Sequence, residues 1–300
     1  MADPIGQFLD AAQAERGASA NTVLAYRRDL QDFEGSLAAA GGDLLTASQA
    51  GIESYLIRLD RAGRAASTRT RRLSAIRQFY RFAYEEGWRS DNPAAAIRSP
   101  RRKRRLPGTL SVDDVDALLE HAGQHGRTPV EKARNHCLFQ MLYATGMRVS
   151  ELVCLPVSAA LGDPDMLLIR GKGGKERLVP LAPPAKSALA QWLRVRDGQK
   201  TLAGSPFLFA SRARDGHLTR IRFYGLVREV AASAGLADKS VTPHVLRHAF
   251  ATHLLANGAD LRVIQTLLGH ADISSTEIYT HVLEARLQAL VTAHHPLAGD

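Results

Sequence analysis

The sequence predicts a mainly α-helical protein of two domains, the second of which carries one small β-sheet. Three observations predict it. Apolar residues recur at helical spacing through most of the 300 residues. The period shifts to two only in "MLLIR" and "ERLVPL", on either side of the turn "GKGGK", so residues 166–181 read as a β-hairpin. Between the halves lies "RSPRRKRRLPGTL", residues 98–110, whose two prolines and run of basic side chains cannot form a core element. It reads as a linker.

Residues 1–97 read as nearly all helix. "SANTVLAYRRDLQDFEGSLAAAGG" opens on Ser19 as a cap and stops at the pair Gly41–Gly42. A shorter helix runs from about Ala47 to Arg61. "STRTRRLSAIRQFYRFAYEEGW" opens on Ser67 and carries Leu73, Ile76, Tyr80 and Ala83 on one face. Its first turns hold Arg69, Arg71 and Arg72 beside free backbone N–H groups, an arrangement suited to phosphate. A solvated charged face is the alternative. Arg101, Arg102 and Lys103 give the linker the character of a cationic strap for a phosphate backbone, against an exposed hinge.

The second domain starts at Ser111, which forms a capping box with Asp114 ahead of "VDALLEHAG". A long apolar helix, "VEKARNHCLFQMLYATG", ends at Gly146, a natural helix stop. "MRVSELVCL" and the hairpin follow, then helices near 183–198, 219–235, 243–257 and 260–268. A final helix near 282–293 is stopped by Pro296, and Leu283, Leu287, Leu290 and Val291 give it an apolar stripe.

Composition narrows the function. Lys and Arg number 39 against 30 acids, a net charge of +9 that points to an anionic partner, nucleic acid before membrane. Cys137 and Cys154 lie in apolar helical patterns without metal spacing and read as reduced core residues. The start has no basic-then-apolar pattern, and no run approaches eighteen apolar residues, so a cytoplasmic chain without a membrane span is expected.

"TPHVLRHAFATHLL", residues 242–255, places His244, Arg247 and His248 on one helical face. A metal, an anion or a satisfied core face are the candidates. Metal motifs fail on inventory: HExxH is missing, and no Asp/Glu cluster resembles a two-metal site. GxSxG is missing as well, which removes the common Ser-His-Asp layout. "GKGGKER" is no phosphate loop, because Glu176 follows Lys175 where Ser or Thr is required. It leaves Lys172 displayed on a hairpin tip, either a proton donor or a plain turn lysine. Arg148 follows the Gly146 stop with Glu151 three residues on, close enough to orient it. His270 follows a helix end, and Tyr279 lies nine residues later.

Taken in order, Arg148, Lys172, His244 with Arg247 in "HVLR", His270 in "LLGH", and Tyr279 resemble the catalytic set of the tyrosine recombinases. The resemblance covers essentially the whole chain and is nearest the Xer type. "HVLRHAFATHLL", "GADLRVIQTLLGH" and "HHPLA" look more like its XerD branch than XerC. It implies a helical core-binding domain at 1–97, a basic linker at 98–110 and a catalytic domain at 111–300 with a subunit-docking last helix. It also implies DNA cleavage through a 3′-phosphotyrosyl bond at Tyr279, without metal, ATP or cofactor. Arg148 and Arg247 would hold the phosphate, His244 would act as acid–base, His270 would donate to the phosphate, and Lys172 would protonate the leaving oxygen. The expected partners are a double-stranded recombination site, a XerC-type recombinase in a heterotetramer with two of each, and a DNA translocase as activator. The expected task is resolution of chromosome dimers at cell division.

By the same residues His248 and His253 belong to packing, and His281 has no assigned role. The rival readings are a phage- or plasmid-type integrase and a non-catalytic basic DNA-binding protein. The segment "PVSAALGDPDM" departs from the family, whose members usually carry acidic residues before the hairpin.

Overall fold

The computed structural model describes residues 3–14, 17–99, 109–161, 165–171, 174, 176–269, 291 and 293–296. The chain divides into two compact units, Met1–Arg104 and Arg105–Asp300. Both are helical, and the sheet belongs to the second, which is the predicted fold class.

The first unit packs four helices, α1 (Pro4–Ala14), α2 (Ala20–Ala38), α3 (Gln49–Arg61) and α4 (Ala66–Glu85). Ser19 caps α2 as expected, accepting from the Thr22 amide. α3 starts two residues later than expected because Ser48 caps it, accepting from the Gly51 amide. α4 starts one residue before Ser67, and Ala65 at its cap makes no side-chain bond, so Ser67 is not the cap. Aromatic side chains fill the core. Phe8 from α1 meets Phe79 from α4 edge-on at 5.8 Å, and Phe33 from α2 lies 5.0 Å from Tyr55 of α3. Each such ring contributes roughly 1.5–3 kcal/mol by leaving water. Tyr80, buried in α4, keeps its hydroxyl satisfied by donating to the Leu44 carbonyl at 2.8 Å.

The second unit is built around α6 (Pro129–Thr145). Every residue of α6 from Cys137 to Thr145 is buried, which matches the apolar character of "CLFQMLYAT" on all faces. α5 (Val112–Gln124), α8 (Pro183–Asp197) and α11 (Pro243–Ala256) pack against it. The capping box at the start of α5 forms as predicted: Ser111 Oγ accepts from the Asp114 amide and Asp114 accepts from that of Ser111. α7 (Val149–Val153) follows α6, and the hairpin pairs β1 (Met166–Arg170) with β2 (Glu176–Pro180) antiparallel, Arg170 opposite Glu176. α9 (Lys200–Ala203), α10 (Arg220–Ser233) and α12 (Leu261–Leu268) complete the order, with α12 packed on both α11 and β2.

Two expectations need correction here. Cys154 is exposed rather than buried, because α7 ends just before it; its sulfur lies 3.4 Å from His217 Nε2. His248 is also exposed, on the outer side of α11. His253 does belong to the core. Its Nε2–H donates to the Leu110 carbonyl at 2.9 Å, and its Nδ1 accepts from the Tyr143 hydroxyl at 2.8 Å.

The expected last helix at 282–293 lies almost wholly outside the described residues. Val291 is buried in the core of its own unit, and the His295 ring sits 5.0 Å from that of Tyr143. No described helix is long and apolar enough to cross a membrane.

Candidate active site

The site is set by three helix ends. α6 stops at Gly146, which is left-handed at φ 56. A Cβ there would lie 2.3 Å from the ring of Phe250, so both conformation and space demand glycine. The stop turns the chain so that Arg148 becomes the extended residue ahead of α7. Its backbone N–H donates to Glu151 Oε2 at 2.7 Å, and its guanidinium to Glu151 Oε1 at 3.0 Å. The i,i+3 contact read from the sequence is therefore real, and it is buried at the carboxylate end.

α11 begins as its motif predicts. Thr242 caps it by accepting from the Val245 amide, and Pro243 occupies the first turn. His244 is exposed and Arg247 half-buried on the shared face. The Arg247 guanidinium donates to the carbonyls of Gly146 and Leu268. The opening turns of α11 are thereby tied to the ends of α6 and α12.

The end of α12 supplies the most informative geometry. A helix terminus leaves its last carbonyls without partners inside the helix. Here three successive carbonyls each find a different arginine. Leu267 accepts from Arg177 Nε at 2.9 Å, Leu268 from Arg247 Nη2 at 2.6 Å, and Gly269 from Arg148 Nη2 at 3.2 Å. Gly269 itself is left-handed at φ 66, with Arg177 Cδ 3.2 Å from where a Cβ would stand.

Arg148, Arg177 and Arg247 thus gather around one carboxylate, Glu151, leaving positive charge in excess. The pKa shifts express this. Burial, then the neighbouring charge of Arg148, draws the Arg247 guanidinium down to about 10. Burial would raise the Glu151 carboxyl, yet the bonds from Arg177 and from the Arg148 amide hold it below the usual carboxylate range. Such a cluster suits a polyoxygen anion: three guanidinium groups stand against a single carboxylate, and Arg148 keeps 37% of its side chain open.

Arg177 is the residue that sequence reasoning passed over. Its signal was a charged side chain at an inward position of β2, two residues before buried Val179. Lys172, His270 and Tyr279 lie outside the described residues, as do His281, Arg101, Arg102 and Lys103. Along the chain Lys172 falls between the paired strands β1 and β2, and His270 directly follows the residue whose carbonyl Arg148 holds.

The three N-terminal arginines do not form the open cluster expected of them. Arg69 pairs with Asp60 at 2.7 Å. Arg71 donates to Asp29, a fully buried acid. Arg72 donates to Asp32 and to the Tyr55 hydroxyl, leaving 13% of its side chain exposed. Phosphate would have to compete with carboxylates already in place, so the three guanidinium groups are paired rather than free. Only Arg71, at 45% side-chain exposure, retains much open surface.

Residues 109–286 match the phage integrase family, and residues 5–87 match the phage integrase N-terminal SAM-like domain. The chain belongs to the phage integrase family. It is a tyrosine-type site-specific recombinase, an enzyme that transfers DNA strands at recombination sites. The tyrosine recombinase XerD of Rhizobium meliloti is 50% identical to it, over 97% of this chain and 94% of that one. The XerD of Caulobacter vibrioides is 46% identical, over 97% and 95%. Among solved structures, the XerH site-specific recombinase bound to palindromic difH substrate, a post-cleavage complex, is 25% identical. It superposes with a TM-score of 0.71, covering 96% of this chain and 84% of that one.

Proposed function

We propose that the arginine cluster holds the scissile phosphate of a recombination site and that Tyr279 attacks it. The observation that carries this is the triple tie between the end of α12 and Arg148, Arg177 and Arg247. It fixes the phosphate-binding side chains to the stretch of chain immediately before His270.

The chemistry follows from the residue types. A phenol is a weak nucleophile at neutral pH, since its ordinary pKa is near 10. His244, exposed on the open face of α11, would take the proton as Tyr279 Oη bonds to phosphorus. The bond from phosphorus to the 5′-oxygen breaks, and Lys172 gives that oxygen its proton. Arg148 and Arg247 balance the charge that builds on the non-bridging oxygens, and His270 donates to one of them. Preorganised donors of this kind are typically worth ~3–4 kcal/mol each in the transition state. Attack of a 5′-hydroxyl from the partner strand reverses the sequence and restores the tyrosine. The phosphotyrosyl link conserves the bond, so no ATP is consumed.

The Xer-type resemblance implies resolution of chromosome dimers beside a XerC-type partner, two of each per synapse, and similarity to XerD proteins over nearly the full length supports that reading. The linker residues Arg101, Arg102 and Lys103 remain candidates for backbone contact. The test is a nicked suicide substrate carrying the dimer-resolution site, offered with chelator, with and without the partner. A covalent protein–DNA adduct that disappears in Tyr279→Phe is expected. Tight binding without adduct in either condition would favour the non-catalytic reading instead. Adduct on phage attachment sites but not on the resolution site would favour an integrase.

A further inference from the structure

We infer that Arg177 is a positioning residue for strand cleavage, taking up half of the Glu151 carboxylate's bonds so that this acid does not neutralise the phosphate-binding arginines by itself. The inference rests on the reading that Arg148 and Arg247 bind the phosphate.

Glu151 is the only acid bonded to this cluster among the described residues, and its side chain is 5% exposed. A carboxylate offers about four acceptor sites. All four are filled: Oε1 accepts from Arg148 Nη1 and Arg177 Nη1, each at 3.0 Å, and Oε2 from the Arg148 amide and Arg177 Nη2, each at 2.7 Å. Arg177 supplies two of the four through a fork that fixes the plane of the carboxylate. Its third bond, from Nε to the Leu267 carbonyl, locks the same guanidinium to the end of α12.

Arg177 is 5% exposed and its charge is spent on Glu151. It lets Arg148 share Glu151 rather than balance it alone, and leaves Arg247 resting on the carbonyls of Gly146 and Leu268. Without Arg177, two acceptor sites on a buried carboxylate lose their partners. An unpaired carboxylate turns to the nearest cations, and those are Arg148 and Arg247. The phosphate would then meet arginines already neutralised. β2 carries this clamp at its inward second position, so one short strand joins the Lys172 hairpin to the other half of the site. Gly269 completes the arrangement, because any side chain there would press on Arg177.

The test is single-turnover adduct formation at saturating enzyme on the suicide substrate, with DNA affinity and thermal midpoint measured on the same preparations. Arg177→Gln should slow adduct formation about 30-fold or more while the dissociation constant for DNA stays within about threefold. Arg177→Lys, which keeps the charge but not the fork, should fall between. The decisive variant adds Glu151→Gln to Arg177→Gln: removing the stray carboxylate should recover at least about tenfold of the lost rate. A double variant no faster than Arg177→Gln overturns the proposal, as does wild-type cleavage by Arg177→Gln. If both Arg177 variants fail to fold, Arg177 is a structural clamp and the proposal falls. Arg148→Gln runs alongside. Should it cleave at the wild-type rate, the phosphate-site reading itself fails; should it be inactive while Arg177→Gln is normal, only the present inference fails.

Discussion

The two units spend their arginines in opposite ways. In the first, Arg69, Arg71 and Arg72 each reach a carboxylate, and Asp29, Asp32 and Asp60 leave little charge uncompensated. In the second, Arg148 and Arg177 share Glu151 and each also donates to a backbone carbonyl, and Arg247 donates to backbone carbonyls. Carbonyls satisfy donors without cancelling charge. One arrangement therefore holds helices together, while the other leaves positive charge in excess. The lesson is that a cluster of guanidinium groups is defined by its acceptors, not by its count.

The strongest way to break that comparison is substitution. Arg247→Gln is expected to slow adduct formation by roughly 10²–10³ with little loss of DNA affinity, the usual cost of one transition-state donor. Arg72→Gln should leave the rate per folded molecule unchanged. Equal kinetic effects at the two positions would erase the distinction.

Acidification sharpens it in a second way. All 11 histidines of the chain lie in the second unit. Burial draws the His295 imidazole down to about 4 from its ordinary 6.5, so its charged form is disfavoured in the folded state. The sign follows from linkage: the stabilisation is present above pH 6.5 and is lost as pH falls toward 4. The expected loss is about 2 kcal/mol by pH 5. Trp88 and Trp192 report the two units separately in single-tryptophan variants of the full chain. The Trp192 signal should lose thermal stability over this range before that of Trp88, and His295→Phe should flatten the difference.

Arg72→Gln carries its own expectation, now for stability. It removes partners from Asp32 and Tyr55 and should cost about 1–3 kcal/mol by denaturant titration. The slope of DNA affinity against salt should not change, since no phosphate contact is lost. The smallest effect belongs to Arg81 and Glu85, an exposed i,i+4 pair on α4. Replacing Arg81 with Ala should shift stability by only about 0.3–0.5 kcal/mol.

Much of the fold was legible because its signals are local. Ser111 with Asp114, Thr242 with Pro243, and Gly146 are punctuation within a few residues of what they punctuate, and each functions as read. The errors share a cause. The three N-terminal arginines looked free because their acceptors lie elsewhere in the chain; Asp29 stands 42 positions from Arg71. Cys154 looked buried because the apolar pattern runs past the end of α7.

The candidate site divides in the same way. Arg148, Glu151, His244 and Arg247 could be named from motif and spacing, since a helix places i and i+3 on one face. Arg177 could not, because its partners stand 26 and 90 positions away along the chain. Sequence alone determined the element types, those ends marked by a local cap or stop, and the ordered residues that mark the recombinase. Tertiary structure decided which arginines are neutralised and which keep their charge. The reason is physical: helix caps and periodicity act over one or two turns, whereas charge compensation depends on which acceptor the folded chain brings within three ångströms.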